Sequence, residues 1–141
     1  MEFSQVFVLG AGAVGSFLGA RLARVIPTTL IARAEHAQAV RASGLRLTGE
    51  LDETVRLPAL TELPELPARA LCLVTTKARG LAVVAEALAV RARGDTVALV
   101  LLNGLDPEAR LRAELKGRGR GDMKVLRAVT STGCNLVRPG E

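Results

Sequence analysis

The sequence predicts an α/β fold in which a doubly wound, mostly parallel sheet carries helices on both faces. Three observations predict it. The chain is 49% hydrophobic but only 2% aromatic, and such aliphatic content is typical of strands that are buried on both faces. Short aliphatic runs alternate with helical patterns along the 141 residues, as in a parallel sheet with helical crossovers. The first of these runs ends in a glycine-rich turn that opens a helix.

The glycine-rich turn follows the apolar run at residues 6–9 and has the spacing Gly-x-Gly-x-x-Gly. In dinucleotide-binding folds the first glycine permits a tight turn, the second lets the backbone approach a pyrophosphate, and the third lets the helix pack close to the strand. The free N–H groups and positive dipole end of that helix then face the phosphates. The turn predicts a Rossmann-like domain whose cofactor-binding residues include Gly10, Ala11, Gly12, Ala13, Val14 and Gly15.

The helix after the turn and the next two elements form the first half of the predicted fold. An apolar stripe at helical spacing over residues 13–25 is expected to pack on the sheet; its members are Val14, Phe17, Leu18, Leu22 and Val25. Gly19 lies one turn beyond Gly15 and predicts close contact between helix and strand. Residues 28–32 predict the second strand, and residues 34–43 a short helix that Gly44 ends.

The second half continues the alternation of strands and helices. Residues 45–48 and 54–57 alternate apolar with polar side chains and predict an antiparallel ribbon, whereas residues 58–67 hold three prolines and predict a loop. Two aliphatic strands are expected at 70–75 and 96–102, with a helix between them that carries Leu81, Val84 and Leu88. A helix beginning at Asp106-Pro107-Glu108, a solvated Gly-Arg turn at 117–121 and a strand at 123–130 follow.

Length and charge narrow the classes of function. A chain of 141 residues is expected to form one domain with a substantial core. The net charge is +5, but no aromatic side chains interleave the basic residues, which argues against nucleic-acid binding. No apolar stretch reaches the ~18 residues of a membrane span, and no signal-peptide pattern is present. We therefore expect a cytoplasmic protein that binds a small anionic molecule and neither nucleic acid nor membrane.

The cysteines and the single histidine exclude two kinds of site. Cys72 and Cys134 are far apart, without neighbours at metal-ligand spacing, and Cys72 lies in an apolar run typical of a buried strand. His36 is the one histidine of the chain. A metal site built from several histidines is therefore ruled out, and a Ser-His-Asp triad is disfavoured. No metal is expected.

Arg33 is the residue that bears on the choice of cofactor. In folds that bind NAD, an Asp or Glu about 20 residues past the glycines holds the ribose 2′-hydroxyl. Here the second strand ends at Arg33, 18 residues after Gly15. A guanidinium there can hold a 2′-phosphate through paired hydrogen bonds, which favours NADP(H) over NAD. A surface arginine is the alternative, and Glu35 is the feature that could restore a preference for NAD.

Two later strands are followed by polar residues at the expected cofactor edge of the sheet. Thr75-Thr76-Lys77 follows one strand and Asn103 follows the next. In open α/β sheets ligands bind outside the carboxyl ends of the strands, so Lys77 and Asn103 can reach a nicotinamide or an anionic substrate. Each could equally be a solvated residue at a helix start or a turn.

These residues carry a family resemblance. The chain resembles the N-terminal, cofactor-binding domain of the ketopantoate reductases (2-dehydropantoate 2-reductases), and the order and spacing agree along nearly its whole length. The matching segments are residues 10–15, 30–33, 44–47, 76–78, 103–105 and 129–133. One mild departure is Leu102, where the family commonly has a polar residue.

The resemblance implies a function and a set of roles. It implies NADPH-dependent reduction of 2-dehydropantoate to pantoate in pantothenate and coenzyme A biosynthesis. Arg33 would bind the 2′-phosphate, and Lys77 and Asn103 would hold cofactor and substrate near the transferred hydride. The backbone around Cys134 would close over the nicotinamide end. Asn103 is thus expected to contact both ligands.

The resemblance also implies more chain than these 141 residues hold. The family continues into a helical domain that supplies the general-acid lysine and an acidic substrate ligand. We therefore expect residues 1–141 to be an NADP-binding domain, short of the last strands of its sheet, with no catalytic residue and no activity alone. Strands such as 96–102 are built for burial on both faces, so uncovered apolar surface is expected to produce a homodimer.

Two alternative functions stay open at this point. A stand-alone nucleotide-sensing module has a similar length, but such modules typically carry an acid at the end of the second strand, where this chain has Arg33. A reductase of another 2-oxo or 3-hydroxy acid would share both the glycines and an arginine at this position.

Overall fold

The computed structural model describes residues 2–141, and within them it has eight strands, four α-helices and one short 3-10 turn, Ala78–Gly80. The helices are α1 (Ala13–Leu22), α2 (Ala34–Ser43), α3 (Leu81–Arg91) and α4 (Pro107–Gly117). The strands are β1 (Gln5–Leu9), β2 (Thr28–Ile31), β3 (Leu45–Leu47), β4 (Glu53–Val55), β5 (Ala59–Leu60), β6 (Ala70–Val74), β7 (Val97–Val100) and β8 (Lys124–Arg127).

Six strands form one parallel sheet in the order β5-β2-β1-β6-β7-β8. From β1 the chain winds one way through β2 to β5, then crosses back to β6 and winds the other way to β8. This is the strand order of a doubly wound dinucleotide-binding sheet, and the direction changes between β1 and β6. The predicted fold class is therefore confirmed, and β3 and β4 form the predicted antiparallel ribbon beside it.

A separate hydrophobic core lies on each of the two faces of the sheet. Along β1, Val6 and Val8 contribute to the core under α1 and α2, whereas Phe7 and Leu9 contribute to the core under α3 and α4. This alternation follows from the two-residue period of a strand. Helices on both faces account for the near-continuous aliphatic composition of the strands. None of the helices among residues 2–141 is long and apolar enough to cross a membrane.

The apolar stripe predicted for α1 is not the face that this helix buries. Its buried residues are Gly15, Ser16, Gly19 and Ala20, and the helix ends at Leu22, which leaves Val25 83% exposed. A Cβ on Gly19 would lie 2.5 Å from Cδ2 of Leu30. The helix thus lies so close to the sheet that only small side chains fit between them, and the larger ones are displaced to its flanks.

The stretch predicted as a loop contains a strand. Ala59 and Leu60 form β5, which pairs in parallel with β2 at the edge of the sheet. The N–H of Leu30 donates to the carbonyl of Pro58, and the N–H of Ala32 donates to the carbonyl of Leu60. Prolines are compatible with an edge strand because its outer N–H groups have no partner strand.

The last strand within residues 2–141 lies beside β7. β8 adds to β7 through four paired residues and takes the sixth position of the sheet. β7 is consequently an interior strand, with Val97, Ala98 and Val100 buried. The uncovered apolar surface expected from residues 96–102 is therefore not found on this strand.

The start of α4 is only partly as predicted. Pro107 is the first helical residue and Glu108 lies in the first turn, but the side chain of Asp106 makes no capping hydrogen bond. Asp106 adopts the left-handed conformation, with φ of 47°. In the Gly-Arg run, the guanidinium of Arg120 donates to the carbonyls of Ala89 and Ala92. This side chain therefore fastens the turn to α3 in addition to facing solvent.

Candidate functional site

The carboxyl ends of the central strands lie level with one another. Leu9 of β1 is in register with Ile31 of β2 and with Val74 of β6, and Val74 is in register with Val100 of β7. The residues that follow these strands therefore gather at one edge of the sheet, at the point where its winding direction reverses. Crevices at such points are the ligand sites of open α/β sheets.

The glycine turn after β1 is held tightly against β2 and β6. The N–H groups of Gly10 and Ala11 both donate to the carbonyl of Ile31, at 3.1 and 2.9 Å, and the N–H of Gly12 donates to the carbonyl of Gly10 at 2.7 Å. Gly10 has φ of +84°, and a Cβ on it would lie 2.7 Å from the Cα of Thr76. Glycine is required here by the fold itself, because both the backbone conformation and the available space exclude a side chain.

Gly15 is also required by packing. A Cβ on this residue would overlap the hydroxyl of Thr75 and lie 3.0 Å from Cγ1 of Val8. The first turn of α1 therefore lies directly against β1 and the end of β6. This is the close packing of helix and strand for which the third glycine of the motif is used.

Gly12 differs from its two neighbours in the motif. The nearest atom that a Cβ on Gly12 would meet is the carbonyl oxygen of Gly10, at 4.0 Å. Packing within the chain therefore does not require glycine here. The open side of Gly12 is instead a space that a bound group can occupy, as the second glycine of the motif permits for a pyrophosphate.

The start of α1 is suited to an anion. Gly12 is the residue before the helix, no side chain caps the helix, and its first turn carries no acidic residue. The N–H groups of Ala13, Val14 and Gly15 belong to the first turn, where an α-helix offers no carbonyl partner. Free N–H donors and the positive end of the helix dipole attract phosphates, so these residues fit a pyrophosphate.

Arg33 lies at the end of β2 with its side chain exposed. It is the residue before α2, with an extended backbone at φ of −62° and ψ of 153°. Within residues 2–141 its guanidinium takes part in no ion pair and no hydrogen bond. Glu35 is exposed on the first turn of α2. Both residues that bear on cofactor choice are therefore accessible to a ligand.

A cleft of about 310 Å³ lies beside the start of α1 and brings together Val14, Lys77 and Asn103 of the predicted site. Polar side chains that the sequence did not single out as ligands also face it. The remaining lining residues are Thr75, Thr76, Ala78, Leu101, Leu102, Thr130 and Thr132. The signal that could have found Thr130 and Thr132 is their place in segment 129–133, one of the matching segments of the resemblance. The cleft offers a cation, an amide and hydroxyl groups to a polar ligand.

The position of Lys77 is fixed by the preceding residue, Thr76, which packs between Gly10 and Gly80. Thr76 packs against Gly10 on one side, and a Cβ on Gly80 would overlap its hydroxyl on the other. Lys77 itself precedes the 3-10 turn and is exposed. Among residues 2–141 it has no ion-pair partner. Its ammonium group is thus available to a ligand in the cleft.

Asn103 follows β7, in a turn that a hydrogen bond from β8 holds in place. Gly104 has φ of +118°, and its carbonyl accepts a hydrogen bond of 3.0 Å from the guanidinium of Arg127 on β8. Leu102, the departure noted above, is 7% exposed and belongs to the core under α3 and α4. An apolar residue at position 102 is therefore explained by burial.

The two cysteines have different surroundings. Burial raises the pKa of the Cys72 thiol to about 12, so this side chain is an inert part of the core. Cys134 is partly buried in the extended segment after β8. It is not among the residues that line the cleft with Lys77 and Asn103. Its role at the nicotinamide end stays a prediction.

Two side chains for which the sequence predicted no role, those of Thr75 and His36, contact the glycine turn and α1. The hydroxyl of Thr75 lies 3.2 Å from the carbonyl of Leu9 and 3.1 Å from that of Gly10. The imidazole of His36 is buried and contacts the hydroxyl of Ser16 on α1. No local pattern could have revealed these contacts, because they join residues far apart in sequence.

A larger groove of about 730 Å³ lies between α3 and α4. Its lining comes from the second halves of both helices, including Glu86, Val90 and Glu114. The helices of a doubly wound fold run opposite to the strands, so this groove lies near the amino edge of the sheet. It is therefore remote from the strand ends that carry the glycine turn, Arg33 and Lys77.

Comparisons with known proteins agree on one family. The family model described as ketopantoate reductase PanE/ApbA matches residues 6–141. The 2-dehydropantoate 2-reductase of Pyrococcus horikoshii is 33% identical over 137 residues, which are 96% of this chain and 42% of that protein. The enzyme of the same name from Streptococcus pyogenes is 27% identical over 137 residues, 96% of this chain and 43% of that protein. This chain spans less than half the length of these relatives.

Solved structures give the same result for the fold. A PanE/ApbA family ketopantoate reductase from Ralstonia eutropha superposes with a TM-score of 0.86 at 33% identity, over 96% of this chain and 44% of that chain. A D-mandelate dehydrogenase in a ternary structure with NADH and anilino(oxo)acetate gives a TM-score of 0.80 at 25% identity, with the same coverage. Since the family model spans nearly all of it, the chain belongs to the ketopantoate reductase PanE/ApbA family.

Proposed function

We propose that this chain is the NADPH-binding part of an oxidoreductase that reduces 2-dehydropantoate to pantoate, a step of pantothenate biosynthesis. The observation that carries the proposal is the uncapped start of α1 beside the open side of Gly12. Family membership supports the reaction, and the relatives are named for it. The roles of the residues below are part of the same proposal.

The cofactor would extend along the carboxyl edge of the sheet. Its adenosine end lies at Arg33, its pyrophosphate at Gly12 and the start of α1, and its nicotinamide in the cleft with Lys77 and Asn103. Only NADPH has the 2′-phosphate that the unpaired guanidinium of Arg33 can hold through charge-assisted hydrogen bonds. Such contacts are worth about 1.5–3 kcal/mol, or about tenfold to a hundredfold in affinity.

The chemistry of this part of the enzyme is positioning. NADPH, when bound, supplies the hydride that converts the ketone of the substrate to an alkoxide. The ammonium of Lys77 and the amide of Asn103 hold the nicotinamide end and the substrate at the mouth of the cleft, and Asn103 contacts both. We assign no proton donor for the alkoxide within residues 1–141. The segment is therefore expected to bind NADPH without turning over 2-dehydropantoate.

A second candidate is a reductase of a different 2-oxo acid. The similarity to a D-mandelate dehydrogenase solved with NADH and anilino(oxo)acetate favours it, and Glu35 is exposed near the site where a ribose 2′-hydroxyl would lie. Arg33 distinguishes the two candidates, because a guanidinium gains a contact from NADPH that it does not gain from NADH. A nucleotide-sensing module is the third alternative, and the same arginine counts against it.

The homodimer is a further part of the proposal. Its support is apolar surface on β8 and directly after it, where Leu126 and Val129 are 44% and 76% exposed. Exposed apolar groups at one edge are typical of interfaces. Sedimentation of the chain at micromolar concentration is expected to show a dimer, and a monomer without self-association would contradict this.

The test of the proposed function compares two cofactors on three proteins. NADPH and NADH are titrated against the wild type, Arg33→Ala and a control, Arg110→Ala, whose exposed side chain lies on α4. We expect the wild type and the control to prefer NADPH by about tenfold to a hundredfold, and Arg33→Ala to bind both cofactors equally. Equal affinities in the wild type, or a preference that survives in Arg33→Ala, would contradict the proposal.

A further inference from the structure

His36 is a buried titratable group for which the proposed function has no use. Its side chain is 5% exposed in the first turn of α2, yet it contacts two other parts of the chain. Nε2 lies 2.8 Å from Oγ of Ser16 on α1, and the backbone N–H of Gly140 donates to Nδ1 at 2.9 Å. The imidazole therefore bridges α1 and the turn at residues 137–141.

These contacts fix the tautomer of the ring. A backbone N–H can only donate, so Nδ1 must be unprotonated and accept from Gly140. In the neutral ring the proton is then on Nε2, which donates to the Ser16 hydroxyl. That hydroxyl has its own acceptor, the carbonyl of Ala11 at 3.4 Å. A chain of hydrogen bonds thus runs from Gly140 through His36 and Ser16 to the glycine turn.

The bridge joins the first turns of α1 and α2. In the proposed function, the start of α1 binds the pyrophosphate and Arg33, before α2, binds the 2′-phosphate. His36 is one turn after Arg33, and the N–H of Ala37 donates to the carbonyl of Arg33 at 2.9 Å. Ser16 is one turn after Gly12, and its N–H donates to the carbonyl of Gly12 at 2.9 Å. The contact between the imidazole and the hydroxyl therefore acts on the distance between Arg33 and Gly12, in addition to the hydrogen bonds from Gly10 and Ala11 to the carbonyl of Ile31.

We propose that His36, through its hydrogen bond to Ser16, is a positioning residue that sets Arg33 at the distance from the glycine turn that the 2′-phosphate of NADPH requires. The inference rests on the proposed function, since Arg33 must bind that phosphate. It goes beyond it by making cofactor preference depend on a residue that touches no ligand. The neutral ring is the form that positions Arg33.

Protonation would break the bridge. It places a proton on Nδ1, directly opposite the N–H of Gly140. Burial lowers the pKa of His36 from its ordinary 6.5. The charged groups on the elements around the ring are either exposed or engaged with other partners. They are Arg33, Glu35 and Arg41 on α2, Arg21 on α1 paired with Glu53, Arg46 on β3 paired with Asp52, and the ion pair of Arg138 and Glu141.

The test measures the ratio of NADPH to NADH affinity in variants that remove one hydrogen bond at a time. Ser16→Ala and His36→Leu are expected to lower this ratio about fivefold, the net effect of one hydrogen bond, while NADH affinity stays within about twofold. Gln38→Ala, an exposed residue of the same helix, is the control and leaves the ratio unchanged. His36→Gln, whose amide can still donate to Ser16, is expected to recover part of the preference.

The outcomes separate this inference from the proposed function. A wild type without preference for NADPH contradicts the proposed function. A wild-type preference that persists in both Ser16→Ala and His36→Leu, or equal losses for both cofactors, contradicts only the positioning role. Nitrogen-15 NMR of the single histidine, without cofactor at pH 7.5, is expected to show protonated Nε2 and bare Nδ1; the opposite tautomer would overturn the inference.

Discussion

Two helices, α1 and α4, begin at the same edge of the sheet but present different first turns. The start of α1 has no acidic residue and no cap, and the side of Gly12 is open. The start of α4 has Pro107 at its first position and Glu108 in its first turn, where the carboxylate lies 3.6 Å from Arg127. Both helices have the positive end of their dipole at this edge, but in α4 the carboxylate of Glu108 offsets that charge. The start of α1, whose charge and space are left unoccupied, is therefore better suited to a phosphate than the start of α4.

The largest expected effect contrasts two glycines of one motif. Gly12→Val would place a side chain where the proposed function puts the pyrophosphate, so NADPH affinity is expected to fall more than about a hundredfold. Gly10→Val would instead clash with the backbone of Thr76 at a positive φ and destabilise the fold. Calorimetric titration measures the first effect and thermal melting the second. A Gly12→Val protein that binds normally would place the cofactor elsewhere.

The second largest effect on NADPH affinity is expected when the first turn of α1 is given an acidic residue like Glu108 of α4. Val14→Glu places a carboxylate in the first turn of α1, at the same helical position that Glu108 has in α4. NADPH affinity is expected to fall about tenfold or more through repulsion of the phosphates. The cofactor-free fold is expected to keep its stability, since an acid is favourable at a helix start. Val14→Gln is the uncharged control; an equal loss in both variants would show a steric effect only.

Acidification is expected to loosen the start of α1 before that of α4. The pKa of His36 is lowered by burial from 6.5, so the unfolded chain binds a proton more readily than the folded one. The stability this provides is complete above pH 6.5 and is lost as the pH falls below it. Thermal melting between pH 7.5 and 5 measures the loss, and His36→Gln is expected to reduce it. An identical pH profile in the variant would contradict the assignment.

The smallest effect concerns the residue that precedes α4. Asp106 has φ of 47°, and its side chain makes no capping hydrogen bond. Asp106→Gly is expected to change stability by less than about 0.5 kcal/mol, because relief of the left-handed backbone offsets the greater freedom of glycine in the unfolded chain. Urea unfolding measures it. A loss near 1 kcal/mol would indicate that the aspartate does cap the helix.

The fold was largely predictable because its signals are local. Aliphatic runs marked five of the six strands of the parallel sheet, and the spacing of the glycines identified the turn after β1. β5 was missed because two residues between prolines become a strand only by pairing with β2. The buried face of α1 was misjudged because the closeness of helix and sheet, seen at Gly19, is a property of the packed state.

The candidate site likewise has features with a local sequence signal and features that arise only from tertiary packing. The place of Arg33, Lys77 and Asn103 at one edge of the sheet was predictable, because polar residues directly after parallel strands meet there; their roles as ligands stay predictions. The bridge at His36 was not, since Gly140 lies 104 residues away in sequence. Thr130 and Thr132 reach the cleft only because the chain returns across the sheet after β8. Contacts of this kind depend on tertiary structure and leave no periodic pattern in the sequence.

The most direct measurement is an NMR titration of the chain with NADPH that follows backbone amides at both helix starts. The central claim predicts large shifts for Ala13, Val14 and Gly15 at the start of α1, and none for Glu108 and Ala109 at the start of α4. Shifts of similar size at both starts, or at α4 alone, would contradict the claim that the open, uncapped start of α1 is the phosphate site.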